Sequence, residues 1–154
     1  MKKSALIITL LVICAFGCDT VGVFEQTKAF ANQSWAAKDS LRFNFEINDT
    51  TAFYNVYVVL RHTDAYRYSN IYINVTSINP GDTAITKRHN FILAGTTGWL
   101  GSAMDDIIEQ RKLINSNPIR LKKGTYIVVL KQIMRDDPLL HILNAGVRVE
   151  KVIQ

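Results

Sequence analysis

The sequence predicts an all-β protein, mainly an antiparallel β-sandwich of jelly-roll or immunoglobulin-like type, carrying one short helix. Three observations predict it: apolar and polar residues alternate through most of the chain, turn chemistry separates the alternating runs, and one stretch alone has helical spacing. Phe24–Phe30 reads as a weak first strand. Leu41, Phe43, Phe45 and Ile47 then alternate with Arg42, Asn44, Glu46 and Asn48, the period of a half-buried strand. Asn48-Asp49-Thr50-Thr51 turns the chain, because Asn and Asp side chains bond locally to the backbone. Tyr54, Val56, Val58 and Leu60 share one face of the next run, and Ile71, Ile73 and Val75 one face of another over Asn70–Ser77. Asn79-Pro80-Gly81-Asp82 is a strong turn, after which Ile85–Leu93, Gly124–Met134 and Ala145–Val152 read as strands. The helix is expected over Leu100–Ile114. There Leu100, Met104, Ile107 and Ile108 fall at spacings of three and four, with Asp105 and Asp106 early and Arg111 and Lys112 late, the order that suits the helix dipole.

Ahead of these strands stands a leader. Lys2 and Lys3 are followed by Ala5–Phe16, a run of 12 residues in which Thr9 is the one polar member. A bilayer-spanning helix needs about 20 apolar residues, so this run fits the apolar segment of a secretory signal. Ala15-Phe16-Gly17-Cys18 places a small residue before the cut and a cysteine after it, the pattern of a lipoprotein signal. Residues 1–17 are therefore read as the signal peptide, 18–23 as a lipidated cysteine with a short tether, and 24–154 as the β-sandwich domain. Cys14 lies in the leader, so Cys18 is the single cysteine of the mature chain and has no disulfide partner within it. Acyl chains on Cys18 would hold the protein at a membrane, each buried methylene contributing roughly 0.8 kcal/mol. No acidic run follows Cys18, which points to the outer membrane, facing the periplasm.

The mature length of 137 residues suits one domain with a real core. It carries 16 basic and 13 acidic residues, a net +3 without a long basic run, and so implies no nucleic-acid partner. The densest basic cluster, Arg120-Leu121-Lys122-Lys123, precedes a Gly-Thr pair and reads as a solvated turn.

Reaction chemistry is not legible. His62, His89 and His141 lie far apart, with no metal-ligand spacing, and there is no nucleophile elbow or glycine-rich phosphate loop. An enzyme would need a site assembled by folding from His62, Asp64 and Asp106. No cofactor is expected beyond the covalent lipid on Cys18. Binding is the better expectation, and the residues that carry it are Arg61, His62, Asp64, Tyr66 and Tyr68, gathered in the link Arg61–Asn70, with Trp99 between Gly98 and Gly101. Arg, Tyr and Trp dominate protein interfaces. The plainer reading of these segments is a hairpin link whose tyrosines cap the core and a tryptophan plugging a tight turn. A glycan-binding sandwich is the alternative, with Tyr57, Tyr66, Tyr68, Tyr72 and Trp99 as stacking surfaces.

An ordered set of segments is similar to one family. After the lipobox cysteine come Trp35 with Leu41–Thr50, Tyr54–His62, Asp64–Ile71, Gly98–Gly101 with Asp106-Ile107, Gly124–Tyr126, Gln132–Arg135 and Gly146–Glu150. Over nearly its whole length the chain resembles the gliding-motility lipoprotein GldH family of Bacteroidetes. Arg67, Ala103-Met104 and Leu140-His141 depart from the family pattern, at loops. The resemblance implies a non-catalytic cell-envelope lipoprotein that acts with other gliding lipoproteins and is tied to gliding and the associated type IX secretion machinery. It supplies no site residues.

Overall fold

The computed structural model describes residues 22–153; the signal segment, Cys18 and residues 19–21 lie outside them. In chain order the strands are β1 Gly22–Ala29, β2 Ser34–Trp35, β3 Leu41–Ile47, β4 Phe53–Thr63, β5 Asn70–Ile78, β6 Ile85–Ile92 and β7 Ala94–Gly95. They continue as β8 Gly98–Trp99, β9 Ser102–Met104, β10 Ile107–Leu113, β11 Ile119–Arg120, β12 Gly124–Gln132, β13 Leu139–Leu140 and β14 Ile142–Lys151. A six-stranded sheet runs β1-β14-β4-β10-β9, with β11 also on β4, and a four-stranded sheet runs β3-β12-β5-β6. Pairs β2–β13 and β7–β8 form two small ribbons. The pairing is antiparallel throughout.

The two sheets share one core because each strand turns its alternate residues inward. Phe43, Phe45 and Ile47 of β3, Ile71, Ile73 and Val75 of β5, and Val128 and Leu130 of β12 meet Val56, Val58 and Leu60 of β4 and Val147 and Val149 of β14. Burying each such side chain stabilises the fold by roughly 1.5–3 kcal/mol before conformational entropy is counted. The expected strands over 41–47, 54–62, 70–77, 85–93, 124–134 and 145–152 are all present, and the first begins at Gly22.

The helix expected over Leu100–Ile114 does not form; those residues make the β9–β10 hairpin, and the Ala31–Gln33 3-10 turn is the one helical element among the described residues. Met104 pairs with Ile107 across the two-residue loop Asp105-Asp106, with Asp105 at φ 54°, left-handed backbone that ends any helix and that Asp tolerates. The two aspartates make a turn instead of serving a helix N-terminus. Gly101, at φ 96°, packs against the Glu109 carbonyl, where a side chain would not fit. From Ile108 onward the true period is two: Ile108 and Gln110 point inward, Glu109 and Arg111 outward, and Met104, assigned to an apolar helix face, is 77% exposed.

Antiparallel register gives the sandwich two poles. Gly22 lies beside Glu150, Lys151 beside Tyr54, Ile119 beside Tyr54, and Ile47 beside Gly124, so the start of the domain and all these ends share the basal pole. At the other ends of the same strands, Ala29 pairs with Asn144, and His62 pairs with both Ile142 and Ile108. This apical pole is about 30 Å away, the length of β4. Asp49 closes the basal β3–β4 turn. Its carboxylate accepts from the Thr51 hydroxyl and amide at 2.7 and 2.9 Å and from Ala52, and meets Lys151 Nζ at 3.0 Å; these bonds hold its pKa well below the usual carboxylate range.

Candidate functional site

The link between β4 and β5 crosses the apical pole, and the β7–β8 hairpin brings Trp99 to it. His62, on the inward face at the end of β4, is fully buried, with its ring centroid 4.6 Å from Trp99 in edge contact and 5.4 Å from Tyr66. Tyr66 is also buried; its hydroxyl donates to the Asn70 carbonyl at 3.1 Å, and its ring meets Tyr68 edge-on at 5.8 Å. Trp99 and Tyr68 are half-buried and Asp64 is exposed. Arg61 points outward from β4 and pairs with Glu109 Oε2 at 2.6 Å, with Arg111 on the other carboxylate oxygen at 3.0 Å. Burial alone would raise the Glu109 carboxyl, but the bonds and charges of the two arginines hold it below its ordinary range.

The six residues singled out in the sequence thus meet at one pole in two layers. His62 and Tyr66 form the floor, while Arg61, Asp64, Tyr68 and the edge of Trp99 are reachable from solvent. Residues not foreseen complete the surface. Tyr68 donates its hydroxyl to Asp136 Oδ2 at 2.5 Å, and this pair stands between two hollows. One, of about 350 Å³, is lined by Arg67, Arg135, Pro138 and Leu140. The other, of about 500 Å³, is lined by Tyr72, Arg88, Met134 and Arg135. The Asp136 loop is held by Gln132, fully buried at the end of β12, whose side chain donates to the carbonyls of Trp35 and Asp136 and accepts from the Met134 amide. Ile92, Leu100 and Leu140 leave 40–52% of their surface exposed at this pole. For sugar stacking the surface is poorer than the sequence suggests: Tyr66 is enclosed and the Arg88 guanidinium lies over the Tyr72 ring at 4.4 Å.

Beneath the floor lies a polar pair. His62 Nδ1 meets the Thr63 carbonyl at 2.8 Å, so Nδ1 carries the proton and Nε2 faces Gln110 Nε2 at 3.4 Å; Gln110 in turn donates to the Leu93 carbonyl at 2.8 Å. Burial lowers the His62 pKa, outweighing the Thr63 bond, and Lys112 adds to the lowering. The unfolded chain therefore takes up a proton near pH 6.5 that the folded chain refuses, so stability falls as pH drops below 6.5, by up to about 1.4 kcal/mol per unit, until the folded pKa is reached. His89, lowered by burial and then by Lys87, adds to the same slope. His62→Phe keeps an aromatic ring against Trp99 and removes the titration. Urea unfolding at pH 7 and pH 5 should show a smaller difference in the variant than in the wild type, and equal differences would show that His62 charges freely in the folded state.

No group of three His, Cys, Asp or Glu that could hold a metal occurs among the described residues. The Asp64 amide donates to the Asp106 carbonyl at 2.9 Å, so the two loops touch, but the His62 ring turns inward to Trp99 and Tyr66. No helix among the described residues is long and apolar enough to cross a membrane.

A lipoprotein-type leader with its cysteine a few residues ahead of an antiparallel sandwich points to the class: a membrane-anchored lipoprotein of the cell envelope. Residues 22–149 match the family model described as GldH lipoprotein. The chain is similar to the gliding motility lipoprotein GldH of Flavobacterium johnsoniae, 28% identical over 97% of each chain. It is also similar to a GldH homologue of Christiangramia forsetii, 29% identical over 96% of this chain and 95% of the relative. The chain belongs to the GldH lipoprotein family, and through it is linked to gliding motility.

Proposed function

We propose that the protein is a non-catalytic docking module, tethered by lipid on Cys18 and presenting its apical pole to other envelope lipoproteins of the gliding and type IX secretion machinery. The observation that carries this reading is the opposition of the two poles. Asp19, Thr20 and Val21 separate Cys18 from Gly22, a reach of at most about 14 Å, so the basal pole stays close to the bilayer. The Arg61–Asn70 link, Trp99 and the exposed Leu140 stand a strand length further out. Arginine, tyrosine and isolated exposed apolar side chains around shallow hollows are the composition of a protein interface. The membrane is the outer membrane and the docking side is the periplasm, in keeping with the lack of an acidic run after Cys18.

Crosslinking and pull-down from the organism's own membranes tests the reading. Wild type should recover a reproducible set of envelope lipoproteins, Cys18→Ala should lose both membrane and partners, and Tyr68→Ala combined with Arg61→Glu should stay on the membrane and lose the partners. A tagged protein that comes down alone, or apical variants that keep every partner, would overturn it.

A further inference from the structure

The sandwich is closed at its apical end and open along one side of its basal half. Between the β6 edge and the segment joining β10 to β11 lies a cleft of about 490 Å³, within the usual range of small-molecule sites. Its inner wall is made of core residues, with Ser77, Asn79 and the Asn115–Asn117 segment lining the outer part: Phe45, Val56, Val75, Leu121, Tyr126 and Val128 each keep 4–9% exposure, whereas Phe43, Val58, Leu60, Ile71, Ile73 and Leu130 keep none. The residual exposure marks where the two sheets part. Ile85 and Ile119 stand at the rim, 49% and 39% exposed.

The register of β6 supplies the polar end. Residues directly opposite on antiparallel strands share a face. Ile71 pairs with Phe91, Ile73 with His89 and Val75 with Lys87, so Lys87 and His89 occupy core-facing positions on an edge strand. Both line the cleft, and the His89 ring is stacked on Phe91 at 5.3 Å. No described carboxylate lies within ion-pair distance of Lys87, unlike Lys122, which meets Asp82 at 3.7 Å, and Lys151. An apolar slot with one cation at its mouth is the complement of a long apolar chain ending in an acid.

We propose that this cleft binds a long-chain fatty acid of membrane origin, its chain between the sheets against Val56, Val75 and Val128 and its carboxylate at Lys87. The source follows from placement, and here the inference rests on the anchoring reading: the rim residues Asn79, Asn117 and Ile119 belong to the basal end, which the tether from Cys18 holds beside the bilayer. The site lies at the opposite end from the docking pole, so both can be occupied together. A lysine turned inward on an edge strand also guards against edge-to-edge pairing, and the test separates that role from binding.

The test uses the lipidated protein in phosphatidylcholine vesicles with a fatty acid carrying a mid-chain diazirine. Irradiation should place the label on 75–89 and 114–128, and unlabelled oleate should compete. Val75→Trp, which fills the slot, should abolish the labelling. Lys87→Gln, at an exposed edge position that folding tolerates, should weaken binding of the acid roughly twofold to fivefold and leave its methyl ester unchanged. Label scattered over the outer faces, or labelling indifferent to Val75→Trp, overturns the proposal and leaves Lys87 an edge guard only. Vesicle flotation in the same sample reads anchoring separately. Because a fatty acid exchanges through water, cleft labelling is decided whether or not the protein floats.

Discussion

Replacing Gly146 by alanine is expected to strip β1 from the six-stranded sheet, and replacing it by valine to do so more fully. Gly146 sits in β14 between Thr27 of β1 and Val59 of β4. A Cβ built there would lie against the Gln26 carbonyl oxygen, 2.6 Å from Thr27 Cγ2 and 2.7 Å from Thr27 Cα. Two of those three neighbours are backbone atoms, which cannot swing aside as a side-chain tip can. Overpacking of this kind costs about 1–3 kcal/mol, and the variant also gives up the Phe24 contact with Phe45 at 5.4 Å and the ion pair of Arg148 with Glu25. Urea unfolding should show a loss of about 3 kcal/mol for Gly146→Val, with hydrogen exchange rising first over 22–29. Unchanged protection of β1 would mean that β14 can bow outward to make room.

The consequence reaches function through length. Under the proposed anchoring at Cys18, a paired β1 limits the tether to about 14 Å, whereas a released β1 extends it through Phe30 to about 40 Å. Gly146→Val should therefore remain lipidated and membrane-bound while its crosslinks to envelope partners change, a separation that no apical substitution can mimic.

The strands were legible because period-two alternation survives wherever inward positions are apolar, as in Leu41–Ile47 with its strict buried-exposed pattern. It failed at 100–114 for a definable reason. The second inward residue of β10 is Gln110, a polar side chain whose amide group meets the Leu93 carbonyl and the His62 ring, so one step of the alternation is masked and the chance spacing of Leu100, Met104 and Ile107 takes over. Of the site, the link Arg61–Asn70 and Trp99 were readable by composition, but its layering was not. Burial of His62 is decided by Trp99, 37 positions away, and that of Tyr66 by the loops packed around it. Gln132 lay in a segment that carried the family resemblance, but neither it nor Asp136 carried a sign of its role, since what gives them meaning is Tyr68 across the pole and Trp35 across the core. The cleft was invisible for the same reason: that Lys87 and His89 share a face with Val75 and Ile73 follows only from the β5–β6 register.

Trp35→Ala should be the most damaging single truncation in the apical half. Trp35 is fully buried, stacks on Phe30 with centroids 5.0 Å apart, and donates its indole N–H to the Asp39 carbonyl at 2.8 Å. Its backbone pairs with Leu139 and accepts from Gln132 Nε2, so this one residue closes the sandwich on the same side as the Asp136–Leu140 wall of the proposed docking surface. Removing a buried tryptophan costs about 3–5 kcal/mol, a large part of the roughly 5–15 kcal/mol by which a domain is stable. Trp35→Phe loses the indole bond and some packed area while keeping the stack, and should cost about 1–2 kcal/mol. The pair of variants separates closure from docking. If closure of the apical end is what shapes the partner surface, partner recovery should be retained in Trp35→Phe and lost in Trp35→Ala at temperatures where both remain folded. Recovery that survives in a folded Trp35→Ala would show that the partner surface does not depend on closure of the apical end.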